Sequence, residues 1–168
     1  MRAEIIRWDL AIDRAVDRVR GPVLDGIAYP LSSAADHSLL WDVCGTLTAI
    51  ARGGDVGFAA RFVGAMGIES LLTNGVVKTA FRRVRPAAYE DIVFSYGLHR
   101  PITTSFPSGH ATAAFCAARL LGGGAGWYSL AAAVASTRVY VRLHHASDVV
   151  AGAAFGLVLG SALRRFVR

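Results

Sequence analysis

Three short segments of this 168-residue chain carry the residue types that phosphoryl transfer needs. The first is KTAFRRVRP, residues 78–86, where Lys78 and Arg85 stand seven apart, two helical turns, with Pro86 helping to end the helix. The second is SFPSGH, residues 105–110. Pro107 suits the first turn of a helix, Gly109 lets the backbone approach a ligand, and His110 falls within that turn. The unpaired N–H groups at 108–110 and the positive end of the helix dipole favour an anion. The third is TRVYVRLHHASD, residues 137–148, where His144 and Asp148 are four apart, a spacing that on a helix sets carboxylate beside imidazole. Lys78, Arg85, Arg138 and the N–H groups at 108–110 can hold a phosphate. A neutral imidazole can attack phosphorus, a carboxylate on its other nitrogen fixes the tautomer, and a second imidazole can protonate the leaving oxygen. His144, Asp148 and His110 supply those groups. No cluster of carboxylates suggests a divalent metal, so neither a metal site nor a cofactor is expected.

Other polar residues are weighed against this set. Lys78 is the one lysine among 18 basic residues, which hints at a local chemical demand. His145 rivals His144, but its spacing of three from Asp148 fits less well. Arg82, Arg83 and Arg142 stay outside the core set as possible snorkelling anchors. Glu69 lies in mid-helix and reads as a structural partner of an arginine or of Asn74. The 87–106 loop, with Tyr89, Phe94, Tyr96, His99 and Arg100, suits a rim at the substrate or the lipid interface. Asp36 and His37 read as a polar connection on the same side.

The elements that must position these groups are helices. Hydrophobic residues make up 54% of the chain and charged residues 18%, more apolar than an ordinary soluble domain. Apolar segments run over about 37–51, 56–82, 107–122, 125–143 and 146–165, with glycine turns at 53–54 and 122–124 and no strand-like alternation. The reading is an all-α integral-membrane bundle of about six helices in one domain, residues 1–168. Residues 1–20 form an amphipathic helix, on the membrane surface or against the bundle, and 22–33 are a short segment broken by Pro30. Small residues such as those in AGAAFGLVLGSA suit close helix packing in lipid. The net charge of +6 is scattered rather than striped, which argues against nucleic acid as a partner. Cys44 and Cys116 offer neither a disulfide framework nor metal-ligand spacing. With Arg164, Arg165 and Arg168 in the cytoplasm, alternating spans put 1–20 there too and the three segments on the outer face.

K-x6-R-P, P-S-G-H and S-R-x5-H-x3-D, in that order, resemble the signature of the type 2 phosphatidic acid phosphatase family. Here they read Lys78…Arg85-Pro86, Pro107-Ser108-Gly109-His110 and Arg138…His144…Asp148, with Thr137 where the family usually has Ser. The resemblance implies an α-helical phosphatase working through a phosphohistidine. His144 is then the nucleophile, Asp148 its orienting partner and His110 the general acid, and Lys78, Arg85, Arg138, Ser108 and Gly109 bind phosphate. It also implies a site near the extracytoplasmic surface of a bacterial cell membrane and a lipid phosphate as substrate: a polyprenyl diphosphate, a glycerolipid phosphate, or decaprenyl-phosphoryl phosphoribose. The related vanadium haloperoxidases use the same motifs, but they are large and soluble. A non-catalytic anion-binding protein is the other alternative.

Overall fold

Small side chains decide where the helices meet. The segment Gly109–Leu120 carries little bulk. In the computed structural model, which describes residues 2–86 and 103–168, it is the central helix, with Ala111, Ala114, Cys116, Ala117 and Ala118 fully buried. In chain order the helices are α1 (Arg2–Val19), α2 (Pro22–Ala34), α3 (Leu39–Ala51), α4 (Val56–Ser70), α5 (Gly109–Leu120), α6 (Ala125–Tyr140) and α7 (Ala146–Val167). A 3-10 turn, Asp36–Ser38, leads into α3. Helix α4 runs on through a π-helical turn, Leu71–Val77, and a 3-10 turn, Lys78–Ala80. No strand occurs among the described residues.

Helices α3 to α7 alternate in direction. The start of α3, the end of α4, the start of α5 and the end of α6 all reach one cavity, and α7 begins just after His144, which lines it too. In the core, Trp41 of α3 and Phe58, Phe62 and Met66 of α4 pack on the alanines of α5, from the edge of the cavity, where Met66 lies, to the other end of the bundle. On the opposite side of α5, α7 presents Gly152, Gly156 and Gly160. A Cβ at these positions would stand 2.5 Å from the Ser108 carbonyl oxygen, 2.3 Å from that of Thr112 and 2.8 Å from the Arg119 Cβ. Only glycine permits this approach of backbone to backbone.

The architecture departs from a bundle of about six alternating helices. Five alternate, and α1 and α2 gather at the site end. Helix α1 turns Asp9 and Asp13 inward and most of its apolar residues outward. Ile5, Ile6, Trp8, Leu10 and Val19 are exposed, whereas Asp9 is 2% exposed. Asp9 accepts from the Ser147 N–H (2.9 Å) and hydroxyl (2.7 Å) and pairs with Arg83 at 2.6 Å. One and two turns further on, Asp13 and Asp17 both bind Arg142, the latter at 2.6 Å. Helix α2 lies against the 140–143 turn: Tyr29 meets Tyr140 edge to face at 6.4 Å, and the Tyr140 hydroxyl donates to Asp25 at 2.6 Å.

These contacts correct two expectations. Residues 1–20 lie at the site end, because their acidic stripe is bound to arginines that flank the site. The arginines of α1 therefore count with that end, and the charge bias no longer sets an orientation. Pro30 does not break its segment: it sits inside α2, and both it and Gly26, whose carbonyl loses its partner, lie on the exposed side.

Gly156→Leu is expected to destabilise the protein by about 3 kcal/mol or more, because the new side chain meets backbone rather than a movable group. Gly64, with nothing within 4 Å of its Cβ position, is the matched control. Gly64→Ala should hold or raise the melting temperature in detergent, and the two melting curves check both statements.

Candidate active site

Lys78, Arg85, Gly109, His110, Arg138 and His144 line one cavity of about 570 Å³. Each arrives by a different local device. Lys78 comes where the π-helical turn tightens into the 3-10 turn; it is 6% exposed and donates to the Thr103 hydroxyl at 3.2 Å. The helix does not continue to Arg85, as the seven-residue spacing predicts. It stops at Ala80, and Phe81 is extended (φ −124°, ψ 142°). The segment beyond is tied to the one before Pro107 by the Ser105 N–H, which donates to the Arg83 carbonyl at 3.0 Å. Arg85 re-enters from this segment. It donates to the carbonyls of Leu143 and of Thr103 (3.1 Å), and its Nη1 lies 3.3 Å from His144 Nε2. Arg138, in the last turn of α6, is 3% exposed and bonds Ser32 of α2, with Asp36 at 3.7 Å.

The start of α5 is set by Ser108. Pro107 precedes the helix instead of opening it, and Ser108 is its N-cap, fully buried, its hydroxyl accepting from the Ala111 N–H at 3.4 Å. That side chain is spent on the cap and is not among the cavity-lining groups. Gly109 does line the cavity: a Cβ there would stand 3.2 Å from Asn74 Oδ1 and 3.5 Å from Lys78 Nζ. His110 follows in the first turn, its Nε2 2.8 Å from the Asp36 carboxylate. Asp36 is thus a partner of both His110 and Arg138. Its sequence context, AADHS, carries no signal of that role.

His144 and Asp148 do not lie on one helix, because α7 begins at Ala146. His144 sits in the turn before it, 2% exposed. Its Nδ1 lies 2.7 Å from the Ser105 carbonyl oxygen and 3.8 Å from Asp148 Oδ2, so the carbonyl holds the ring directly and the carboxylate stands behind. The Nδ1–H tautomer suits this contact and leaves Nε2 toward the cavity cations. Burial, then Arg85, Arg138 and Lys78, push the imidazole below its ordinary range, and the hydrogen-bonding influence of Asp148 opposes them. Asp148 is fully buried in the first turn of α7. Arg83 pairs with one of its oxygens at 2.6 Å, and the other accepts from the Ser105 hydroxyl and from the His145 N–H at 2.9 Å.

The two imidazoles therefore share one cavity with three cations, although neither the Lys78–Arg85 nor the His144–Asp148 spacing acts along a common helix. Arg83, set aside in the sequence, is a central ion-pair partner, and Ser105 and Asp9 join it. His145, the rival imidazole, is turned to the Val84 carbonyl at 3.3 Å. Among the described residues Glu69 pairs with neither an arginine nor Asn74: it accepts from the Thr73 hydroxyl at 2.8 Å. Tyr89, Phe94, Tyr96, His99 and Arg100 lie outside the described residues.

The chain and its fold have counterparts among known proteins. The family model described as PAP2 superfamily matches residues 58–168. The chain is 32% identical over 165 residues to the decaprenylphosphoryl-5-phosphoribose phosphatase of Mycobacterium tuberculosis, covering 92% of this chain and 88% of that protein. It is 42% identical over 79 residues to the lipid A 1-phosphatase of Porphyromonas gingivalis, 40% of this chain and 18% of that one. Among solved structures, a transmembrane PAP2 type phosphatidylglycerolphosphate phosphatase from Bacillus subtilis has a similar fold. The TM-score is 0.75 at 24% identity, over 97% of this chain and 86% of that one. Aquifex aeolicus LpxE gives 0.71 at 24%, over 93% and 94%.

Breaking the Arg83 bridge should release α1 from the site. In Arg83→Ala, Asp9 and Asp148 lose a buried counter-charge, and tryptic cleavage within α1 is expected to quicken about tenfold or more. Arg82→Ala, at an exposed position, should leave the cleavage rate unchanged. Timed proteolysis with detection of the N-terminal fragments decides between them.

Proposed function

The chain belongs to the PAP2 superfamily and is a phosphoric monoester hydrolase of the lipid phosphatase kind, and from that premise we propose an integral-membrane enzyme working through a phosphohistidine. The observation that carries this reading is the meeting of His110 and His144 in one cavity with Lys78, Arg85 and Arg138. The three cations and the N–H groups at the start of α5 bind the phosphate. His144 Nε2 attacks phosphorus, the P–O bond to the lipid alcohol breaks, and His110 gives that oxygen its proton. Water then attacks the phosphohistidine, its proton passes to His110, and inorganic phosphate leaves. Asp36 beside His110 stabilises the protonated ring. Asp148 and the Ser105 carbonyl hold His144 in the attacking tautomer. Ser108 contributes by capping α5, and Gly109 by letting the phosphate approach. No step calls for a metal or cofactor.

The membrane reading is supported by two helical stretches long and apolar enough to cross a bilayer, Val56–Ala80 and Ala146–Val167. Only 33% and 28% of their apolar windows are buried in the protein, whereas the core helix of a soluble domain would be mostly covered. An extracytoplasmic site in a bacterial cell membrane is the orientation the family resemblance implies. Residues 1–168 act as one catalytic unit, since α1 and α2 both touch the site end. The substrate is a phosphate or diphosphate headgroup of a polyprenyl or glycerol lipid. The named activity of the mycobacterial relative makes decaprenylphosphoryl phosphoribose a specific candidate.

Phosphate release from a lipid phosphate panel in detergent tests the reading. His144→Ala should lower release by about 1,000-fold or more, and wild type that releases none would sink the proposal. Activity should survive EDTA, and vanadate should inhibit as a mimic of the five-coordinate transition state.

The pH profile is a separate check. Burial and three cations favour neutral His144, so the acid limb of kcat/KM should fall below about pH 6.5, the ordinary imidazole value. Arg85→Gln removes one cation and should move that limb upward, whatever it costs in rate.

A further inference from the structure

A second groove, of about 670 Å³, lies behind the site. Ile5, Ile6 and Leu10 of α1 line one side, and Phe81, Val84 and Phe106 of the two segments that carry Arg83 and Ser105 line the other. Phe81 and Phe106 meet edge to face at 4.7 Å. The groove shares no lining residue with the phosphate cavity, yet the two adjoin along the chain. His145 lines the groove and His144 the cavity. Phe106 lines the groove next to Ser105, whose carbonyl oxygen stands 2.7 Å from the His144 ring.

The apolar side chains of this groove stay open to the outside. Ile5, Ile6, Leu10 and Phe81 are between 42% and 48% exposed, because α1 is held on this side by the Asp9–Arg83 ion pair. An exposed apolar surface with a polar rim marks a place where something binds. Its position in the bundle says what. Phe81 directly follows Val56–Ala80 and His145 directly precedes Ala146–Val167, the two stretches long and apolar enough to cross a bilayer. Both stretches end at the groove, which sets it at the depth where lipid headgroups give way to hydrocarbon. The ionisable groups narrow the partner further. Asp9 is bound by Arg83 and Ser147, Arg83 is bound also by Asp148, and His145 Nε2 lies 3.3 Å from the Val84 carbonyl. Arg82 lines the groove, is exposed, and makes no ion pair or hydrogen bond among the described residues. An uncommitted guanidinium on an apolar cleft at headgroup depth complements an anionic amphiphile.

We infer that the groove between α1 and the Phe81–Val84 segment is an accessory lipid site, which takes an acyl chain of an anionic bilayer lipid and holds its headgroup on Arg82. The inference rests on the integral-membrane reading and is independent of the catalytic one. The bound lipid is a neighbour of the reaction and is not consumed by it.

Photolabelling tests this with the full chain reconstituted in phosphatidylcholine vesicles. The probes are phosphatidylglycerol and phosphatidylcholine with the same diazirine-bearing acyl chain. Both are phosphodiesters with no terminal phosphate to release. Label on the groove peptides is divided by label on the outer face of α7, where Val150 and Val158 are exposed, so the amount of folded protein cancels. In wild type this ratio should be about fivefold or more higher for phosphatidylglycerol than for phosphatidylcholine. Arg82→Gln should bring the phosphatidylglycerol ratio down to the phosphatidylcholine value. Ile6→Asp, at an exposed position, should lower the ratio for both lipids. Equal ratios in wild type, or an Arg82→Gln variant that keeps the preference, would overturn the inference. So would label that reaches α7 and avoids the groove, the result expected if another part of this chain or a second copy covers it. Label on neither would count against the integral-membrane reading as well.

Discussion

The site is organised around one buried negative charge. Asp148 has no contact with solvent, and an isolated carboxylate in that position would be untenable. It is compensated from three directions: Arg83 on the segment after α4, the Ser105 hydroxyl on the segment before α5, and the N–H of His145 at the head of its own helix. Each compensation fixes a different stretch of chain. The same residue's backbone carbonyl takes the Ser108 N–H at 3.0 Å, which sets the start of α5 and hence the place of His110. One carboxylate thus joins the three motif-bearing segments. Its distance of 3.8 Å from His144 makes it the support of the ring's support, since the Ser105 carbonyl makes the direct contact.

That charge also explains helix α1. Arg83 pairs with Asp148 and with Asp9, so the N-terminal helix completes an ion network begun at the site. With Arg142 bound to Asp13 and Asp17, the helix is held by its polar face, and the apolar face is left outward. An amphipathic helix is usually read by asking where its apolar stripe is buried. Here the protein buries Asp9 and covers most of Asp13, while Asp17 stays about half exposed, all three bound to arginines at the site end.

Much of this was legible in the sequence. Helices α3 to α7 match the apolar segments to within a few residues, because Ala, Leu and Val runs between glycine turns leave few alternatives. The two imidazoles and three cations named from the motifs line one cavity. What was hidden is tertiary. Nothing about Arg83 separates it from Arg82 until Asp148 and Asp9 are seen on either side of it. Asp36 is one acidic residue in a short connection until His110 faces it. The Lys78–Arg85 spacing suggested a continuous helix, but the chain turns extended at Phe81 and reaches the same cavity by another path. The place of α1 depended on pairing between residues more than 130 positions apart, which no local pattern encodes.

The glycine row of α7 has a consequence for turnover. Backbone lies on backbone along Gly152, Gly156 and Gly160, so α5 and α7 have no compressible layer between them and cannot slide past each other without collision. His110 rides on the first of these helices and His144 on the turn that feeds the second. Their separation is therefore set by a joint in which backbone lies directly on backbone. Among the described elements, α3 and α4 close the other side of the cavity with ordinary side chains, which can shift where packed backbone cannot. Any change in the width of the cavity is therefore easier on the α3–α4 side than between the two imidazoles.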